Sequence, residues 1–156
     1  MTLISLIYAS VARPGIGYGA LRAILASADA HNERHGLSGI LCYGTGAFLQ
    51  AIEGPRGAVN HLYNRIVCDD RHSDCEILSC GPIEVRSFTE WSMKMISWEE
   101  AYTPQRGAVL LRHSGMQQFE PRMMSGRQAH DFLRELAALE RRRASHVVAA
   151  RGVEAQ

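Results

Sequence analysis

No stretch of the 156 residues approaches the ~20 consecutive apolar residues that a membrane-spanning helix needs. The first apolar run, Leu3–Ala9, contains Ser5 and has no basic flank, so it reads as a strand and not as an export signal. Cysteine is sparse. Cys42, Cys68, Cys75 and Cys80 form no C-x-x-C pair, and without an export signal they are expected as reduced thiols in the cytoplasm. Cys68 and Cys75 with His72 form an imaginable zinc trio, but closed zinc sites favour tighter paired spacing. No charge of one sign dominates. Seventeen Lys and Arg face sixteen Asp and Glu, which counts against binding to nucleic acid or an anionic membrane by charge alone. Several signatures are missing: no G-x-G-x-x-G follows the first strand, and there is no P-loop, no G-x-S-x-G and no H-E-x-x-H. Glu53, Asp69, Asp70 and Glu76 are scattered, with no carboxylate pair placed for hydrolysis. What is left is a globular chain of single-domain length, 46% hydrophobic and 21% charged, with no internal repeat.

Residues 3–10 read as a first strand, stopped by the turn cluster Arg13-Pro14-Gly15-Ile16-Gly17. Over 18–34, Leu21, Ile24, Leu25, Ala28 and His31 recur at helical spacing, and Gly36 is placed to stop the helix. Residues 37–43 and 47–53 are two strands joined by the hairpin Gly44-Thr45-Gly46. A second helix is expected over about 55–69, with Pro55 in its first turn and Val59, Leu62, Tyr63, Ile66 and Val67 on its apolar stripe. Residues 74–80 and 83–86 are extended and interrupted near Gly81-Pro82, and 92–97 form a last short strand. Residues 99–125 look irregular or only briefly helical. A helix follows over 127–143, with Ala129, Phe132, Leu133, Leu136 and Leu139 as its stripe. The order β-α-β-β-α-β-β is an α+β pattern of the ferredoxin-like kind, with two helices on one face of the sheet and a C-terminal helical extension. That helix needs either the open sheet face or a partner to cover.

Two polar residues stand out inside apolar strands. Tyr8 shares a strand face with Ile4 and Leu6, and Gln50 shares one with Phe48 and Ile52, so both should point inward. A buried amide left unpaired costs about 1–3 kcal/mol. Either the two satisfy each other as core residues, or they line a polar ligand pocket. His31 and Asn32 end the first helix, where a cap is the ordinary reading, and Arg71-His72 follow the second helix in what reads as a solvated loop. Both pairs sit at the same ends of two helices expected side by side. A flat ring could enter between them, clamped by Ile24 and Ile66 and bonded at its edge by Asn32 and Arg71. Trp91, Met93 and Met95 alternate on one strand face, and core packing is their ordinary reading.

Five pieces in order carry a resemblance: L-I-Y-A-S around Tyr8, A-H-N at 30–32 with L-S-G-I-L at 37–41, F-L-Q-A-I-E-G at 48–54, D-D-R-H at 69–72, and W-S-M at 91–93. Together, over residues 2–98, they resemble the BLUF domain, a flavin-binding blue-light sensor. The resemblance implies a flavin-binding domain over 1–98 and an extension over 99–156. The implied cofactor is FAD, with FMN or riboflavin also accommodated. It implies Tyr8 as the photoactive tyrosine and Gln50 as the switching glutamine. Ile24 and Ile66 would sandwich the ring, Asn32 would bind its polar edge, and His31, Phe48, Arg71 and His72 would line the site. Trp91 and Met93 would relay the signal. The expected photocycle has Gln50 bridging Tyr8 and the flavin in the dark. Light-driven electron and proton transfer from Tyr8 leaves the amide rotated or tautomerised, which gives a red-shifted state without a covalent adduct.

Residues 99–156 leave no room for an effector enzyme. A non-enzymatic sensor is therefore expected, acting on a separate partner, by analogy a cyclic-nucleotide or cyclic-dinucleotide enzyme or a transcription regulator. The tail could also pair copies of the chain. Two other classes fit the elements. One is a ferredoxin-like hydrolase of the acylphosphatase type, with 13–17 as a faint phosphate loop. The other is a flavin-free interaction module with Tyr8 and Gln50 as core.

Overall fold

The computed structural model describes residues 2–91 and 93–154, with the side chains of Ile24, Ser27, Val153 and Glu154 outside that description. The elements run β1 (Leu3–Ala12), α1 (Tyr18–Arg34), β2 (Ser38–Gly44), β3 (Ala47–Pro55), α2 (Arg56–Val67), β4 (His72–Ile83), β5 (Lys94–Ser97), α3 (Pro104–Ser114), a 3-10 turn (Pro121–Met123) and α4 (Gly126–Glu154). The strands form one mixed sheet in the order β4-β1-β3-β2-β5. All neighbours are antiparallel except β2 and β5.

The β2–β3 hairpin closes through Thr45 and Gly46, both at positive φ (48° and 71°), the pattern of a two-residue turn whose twist matches the strands. β1 and β3 pair without a break from Leu3↔Pro55 to Val11↔Ala47, which puts Tyr8 directly opposite Gln50. The irregularities of β1 fall on its other side, where the register with β4 shifts between Ile7 and Tyr8 and again between Ala9 and Val11. β4 runs through Gly81-Pro82 without the expected interruption. It is an edge strand, where a residue with no N–H to donate is tolerated.

Alternation of side chains divides the interior in two. Ile4, Leu6 and Tyr8 of β1 and Ile52 of β3 pack with Val59 of α2, while Leu41 and Phe48 pack with Leu21 of α1. The opposite face carries Ile7, Ala9, Ile40, Cys42, Leu49 and Ala51. The tail covers it with Val109 and Leu110 of α3 and Ala129, Phe132, Leu133 and Leu136 of α4. Each fully buried Leu or Phe there contributes about 1.5–3 kcal/mol. The tail is thus part of the core. Trp98 stacks on Phe119 with ring centroids 5.5 Å apart and meets Phe132 edge-on at 5.8 Å.

Two tail elements differ from expectation. α3 is a full helix in a stretch expected to be irregular. Thr103 caps it by accepting from Arg106 N at 3.2 Å, Pro104 opens it, and Gly115 closes it at φ 72°. α4 continues to Glu154 where an end at 143 is expected. Among the described residues no helix is long and apolar enough to cross a membrane.

Candidate functional site

Between the sheet and the two helices of its first face lies a cleft of about 100 Å³, lined by Tyr8, Leu21, Leu25, Leu41, Phe48, Ile66, Asp69, Arg71 and His72. β1 and β3 supply its floor because even-numbered side chains of both strands point this way. Tyr8 donates its phenol proton to Gln50 Oε1 in a buried bond. Burial, followed by the proximity of Cys75, pushes the Tyr8 phenol far above its usual range, so it stays protonated. At the other end of the amide, Gln50 Nε2 lies 3.3 Å from Met93 Sδ, a weak acceptor. With Gln50 only 5% exposed, its amide has one strong bond and one weak one.

His72 is fixed from both sides. Its Nδ1 lies 2.8 Å from Ser10 Oγ, and its Nε2 lies 2.6 Å from the Ile66 carbonyl. Only an N–H can bond that carbonyl, so Nε2 carries a proton, and in the neutral ring Nδ1 accepts from the Ser10 hydroxyl. The ring lies edge-on to Phe48 at 5.9 Å and to Tyr8 at 6.3 Å, and Tyr63 of α2 sits 5.5 Å from the Tyr8 ring. Arg71 bonds Asp69 through Nε at 2.7 Å to Oδ1 and 2.9 Å to Oδ2, and through one terminal nitrogen. Those bonds hold the Asp69 carboxyl below the usual carboxylate range, despite the opposing effect of burial, and raise Arg71 in turn.

Asn32 supplies the most telling polar group. It is 3% exposed, and its Oδ1 finds no hydrogen-bond partner. An orphaned acceptor in the interior is costly and marks a place for a donor. Asn32 lies two helical turns, about 10 Å, beyond Leu25 on the same face of α1. The imide N–H on the polar edge of an isoalloxazine ring has the complementary chemistry, and the apolar walls at Leu21, Leu25 and Ile66 suit its rings. The residues fit a flavin.

Tyr8, Phe48, Ile66, Arg71 and His72 line this one cleft, with Gln50 bonded to Tyr8 and Asn32 further along α1. The Ile24 side chain lies outside the described residues. The His31 ring lies 4.2 Å from that of His35 at a tilt of 32°, along the partly exposed face of α1. Trp91 and Met93 do not share a face. The strand begins only at Lys94, so neither Trp91 nor Met93 belongs to it. Met93 packs on the cleft side, whereas Trp91 packs against the tail-side core under the Arg141 guanidinium at 5.9 Å. Cys42 also faces the tail, its thiol raised by burial and away from the cleft. Arg13 pairs with Asp70 at 3.7 Å and Ile16 N bonds Arg13 O, so 13–17 is a closed turn and not a phosphate cradle. Among the described residues no three His, Cys, Asp or Glu side chains are grouped to hold a metal ion.

Sequence reasoning missed two supports. Ser10, fully buried, orients His72, and its place two residues after Tyr8 on the same face was the available signal. Glu53 is 1% exposed and accepts from Ser87 N at 2.9 Å and Phe88 N at 3.1 Å, anchoring the loop that leads to Trp91. A charge inside an apolar strand was the signal there.

This sheet, with a tyrosine–glutamine pair facing a flavin-compatible cleft, defines a class. Residues 3–94 match the family of sensors of blue light using FAD, and the chain belongs to that BLUF family. Residues 3–94 are thus a blue-light-sensing domain of the flavin-using kind. The fold superposes on the photo-activated state of BlsA with a TM-score of 0.76 at 30% identity, covering 86% of this chain and 94% of that one. It superposes on the dark state of BlrB with a TM-score of 0.71 at 29% identity, covering 88% and 96%. Among curated relatives, photoactivated adenylate cyclase subunit beta of Euglena gracilis is 36% identical over 93 residues, 59% of this chain and 11% of that protein. The chain thus spans about a tenth of the length of such relatives. BLUF domains are joined to effectors in proteins such as a bacterial light-regulated adenylyl cyclase, whose structure matches 69% of this chain.

Proposed function

We propose that the flavin is FAD, held between α1 and α2, and that Tyr8 and Gln50 form the light-driven switch. The observations that carry this are the buried bond from Tyr8 to Gln50 and the orphaned Asn32 oxygen on the same side of the sheet's helix layer. Asn32 would accept from the ring edge. Ile24 and Ile66 would flank the ring, with Phe48 and His72 on the sheet side and His31, Arg71 and Asp69 toward the rim. When bound, the flavin supplies blue-light absorption and a strong oxidant once excited.

The chain's own part follows from two ends of one amide. In the dark Gln50 presents its oxygen to Tyr8 and its NH2 to Met93. Tyr8 is the oxidisable phenol, kept protonated by burial and with its proton already directed at Gln50. Turning or tautomerising the amide exchanges donor for acceptor on both sides, which weakens the contact to Met93 and gives two discrete arrangements. Met93 leads into β5 and Trp91 touches α4, so either can carry the change to the tail, and from there to a separate effector. A cyclic-nucleotide or cyclic-dinucleotide enzyme or a transcription regulator fits that role, in the cytoplasm. Residues 1–98 would then sense and 99–156 would report.

The test is an absorption spectrum in the dark and immediately after blue light, with the released flavin identified by chromatography against FAD, FMN and riboflavin. A flavin band that shifts slightly to the red, keeps its shape and recovers in darkness is expected, and Gln50→Leu and Tyr8→Phe should bind flavin without that shift. A normal shift in Gln50→Leu overturns the switch assignment. Identical hydrogen-exchange protection of the tail in dark and light overturns the output assignment.

A further inference from the structure

Beyond Arg141 every described side chain of α4 is exposed, from Arg142 to Gly152. This length extends α4 by about three turns that have little cover among the described residues. Its composition is one-sided. Residues 141–153 contain Arg141, Arg142, Arg143 and Arg151 and no Asp or Glu; without those four arginines the chain has 13 basic residues against 16 acidic ones. Arg141 is engaged with Glu90 at 2.8 Å, whereas Arg142 and Arg143 have no acidic partner among the described residues. Between this overhang and the start of α3 runs a groove of about 710 Å³, in which Leu139, Val147 and Ala150 lie beside Arg142, Arg143 and His146.

We propose that this groove is a docking surface for an acidic amphipathic helix of a protein partner. Unpaired arginines flanking an apolar strip call for carboxylates flanking an apolar strip. A second copy would set one basic overhang against another, which like charges oppose. Past Leu139 the described apolar residues are only Val and Ala, without the Trp, Phe or Leu by which a basic helix inserts into lipid. A concave groove between two helices suits a third helix better than a convex duplex. The site also connects to the sheet. Glu140, beside Leu139, pairs with Arg106 of α3 and lies 3.8 Å from Lys94 of β5, next to Met93.

The inference rests on the reading that the signal leaves through the tail to a separate protein. Its test uses the full flavin-loaded chain and a fluorescein-labelled 20-residue helical peptide with Glu on one face and Leu on the other. Binding is read by anisotropy in the dark and in the light, with the absorption spectrum recorded in the same cuvette. Saturable binding is expected, weakened about tenfold by Arg142→Glu with Arg143→Glu, weakened by Val147→Asp, and lost when the peptide glutamates become glutamine. No binding up to about 1 mM protein overturns the proposal. So does binding indifferent to the variants, or tighter binding to a 20-base-pair DNA duplex or to phosphatidylserine vesicles. Dimerisation abolished by the arginine substitutions makes the occupant a second copy and also overturns it. A sample that fails to bind the peptide but still shifts to the red separates this failure from failure of the photoswitch.

Discussion

Replacing Glu53 by leucine should unfasten the loop that carries Trp91 while leaving the cleft intact. The carboxylate is buried on the tail side of β3 and accepts from Ser87 N, at 3.1 and 2.9 Å to its two oxygens, and from Phe88 N at 3.1 Å. Leucine fills similar volume but accepts nothing. Two backbone donors are then stranded, each costing about 1–3 kcal/mol when buried. Ser87 is only half-buried and recovers part of its bond from water, and the desolvation of a carboxylate is avoided, so the net loss should be about 2–4 kcal/mol. For a chain of this size that is a fall in Tm of about 5–15 °C. Glu53→Gln keeps an acceptor oxygen and should lose about 1 kcal/mol. Urea unfolding of the dark, flavin-loaded protein measures both, and faster amide exchange at Ser87 and Phe88 locates the effect. Equal stability of Glu53→Leu and wild type within about 0.5 kcal/mol would falsify the anchoring role, as would a glutamine variant as weak as the leucine one.

Three further perturbations bear on the switch and its connections. Glu140→Gln leaves Arg106, 3% exposed, as an uncompensated buried charge, and should cost about 3 kcal/mol or more in urea unfolding, whereas Arg106→Met with Glu140→Met should recover most of it. Gly39→Ala places a methyl 2.1 Å from the Ala51 carbonyl oxygen and 3.1 Å from Met93 Cε, so it should lower Tm and alter the dark recovery rate; unchanged values for both would mean the strands are looser than described. Asp69→Asn removes a carboxyl whose folded pKa is depressed, first of all by its bonds to Arg71. The stabilisation is complete at neutral pH and disappears as pH falls through that depressed value. The stability gap to wild type should therefore be flat from pH 7 to about pH 5 and close in stronger acid, a modest effect because both groups are partly exposed.

Patterns that depend on one element were legible in the sequence. The α1 stripe, the Thr45-Gly46 turn and the inward direction of Tyr8 and Gln50 follow from periodicity and turn chemistry. What depended on neighbours was harder. Pro82 reads as a break until β4 is known to be an edge. Pro104, Gly107 and Gly115 read as breakers, although Thr103-Pro104 and Gly115 are the cap, first turn and terminus of α3. The arginines at 141–143 resemble a helix end, yet α4 runs on. Trp91 and Met93 share a face only if a strand spans both, and the pairing of β5 with β2 starts at Lys94. Asn32, by contrast, was singled out from its motif, and its unpaired oxygen gives that position a physical reason.

The unbroken β1–β3 ladder has a practical consequence. Tyr8 and Gln50 are opposite residues on two central strands, and the register shifts of β1 are confined to its outer neighbour β4. The separation of Tyr8 and Gln50 is therefore set by backbone pairing and not by anything attached at either terminus. Chimeras that graft this sensor onto different output proteins should keep one colour and one size of light-induced shift.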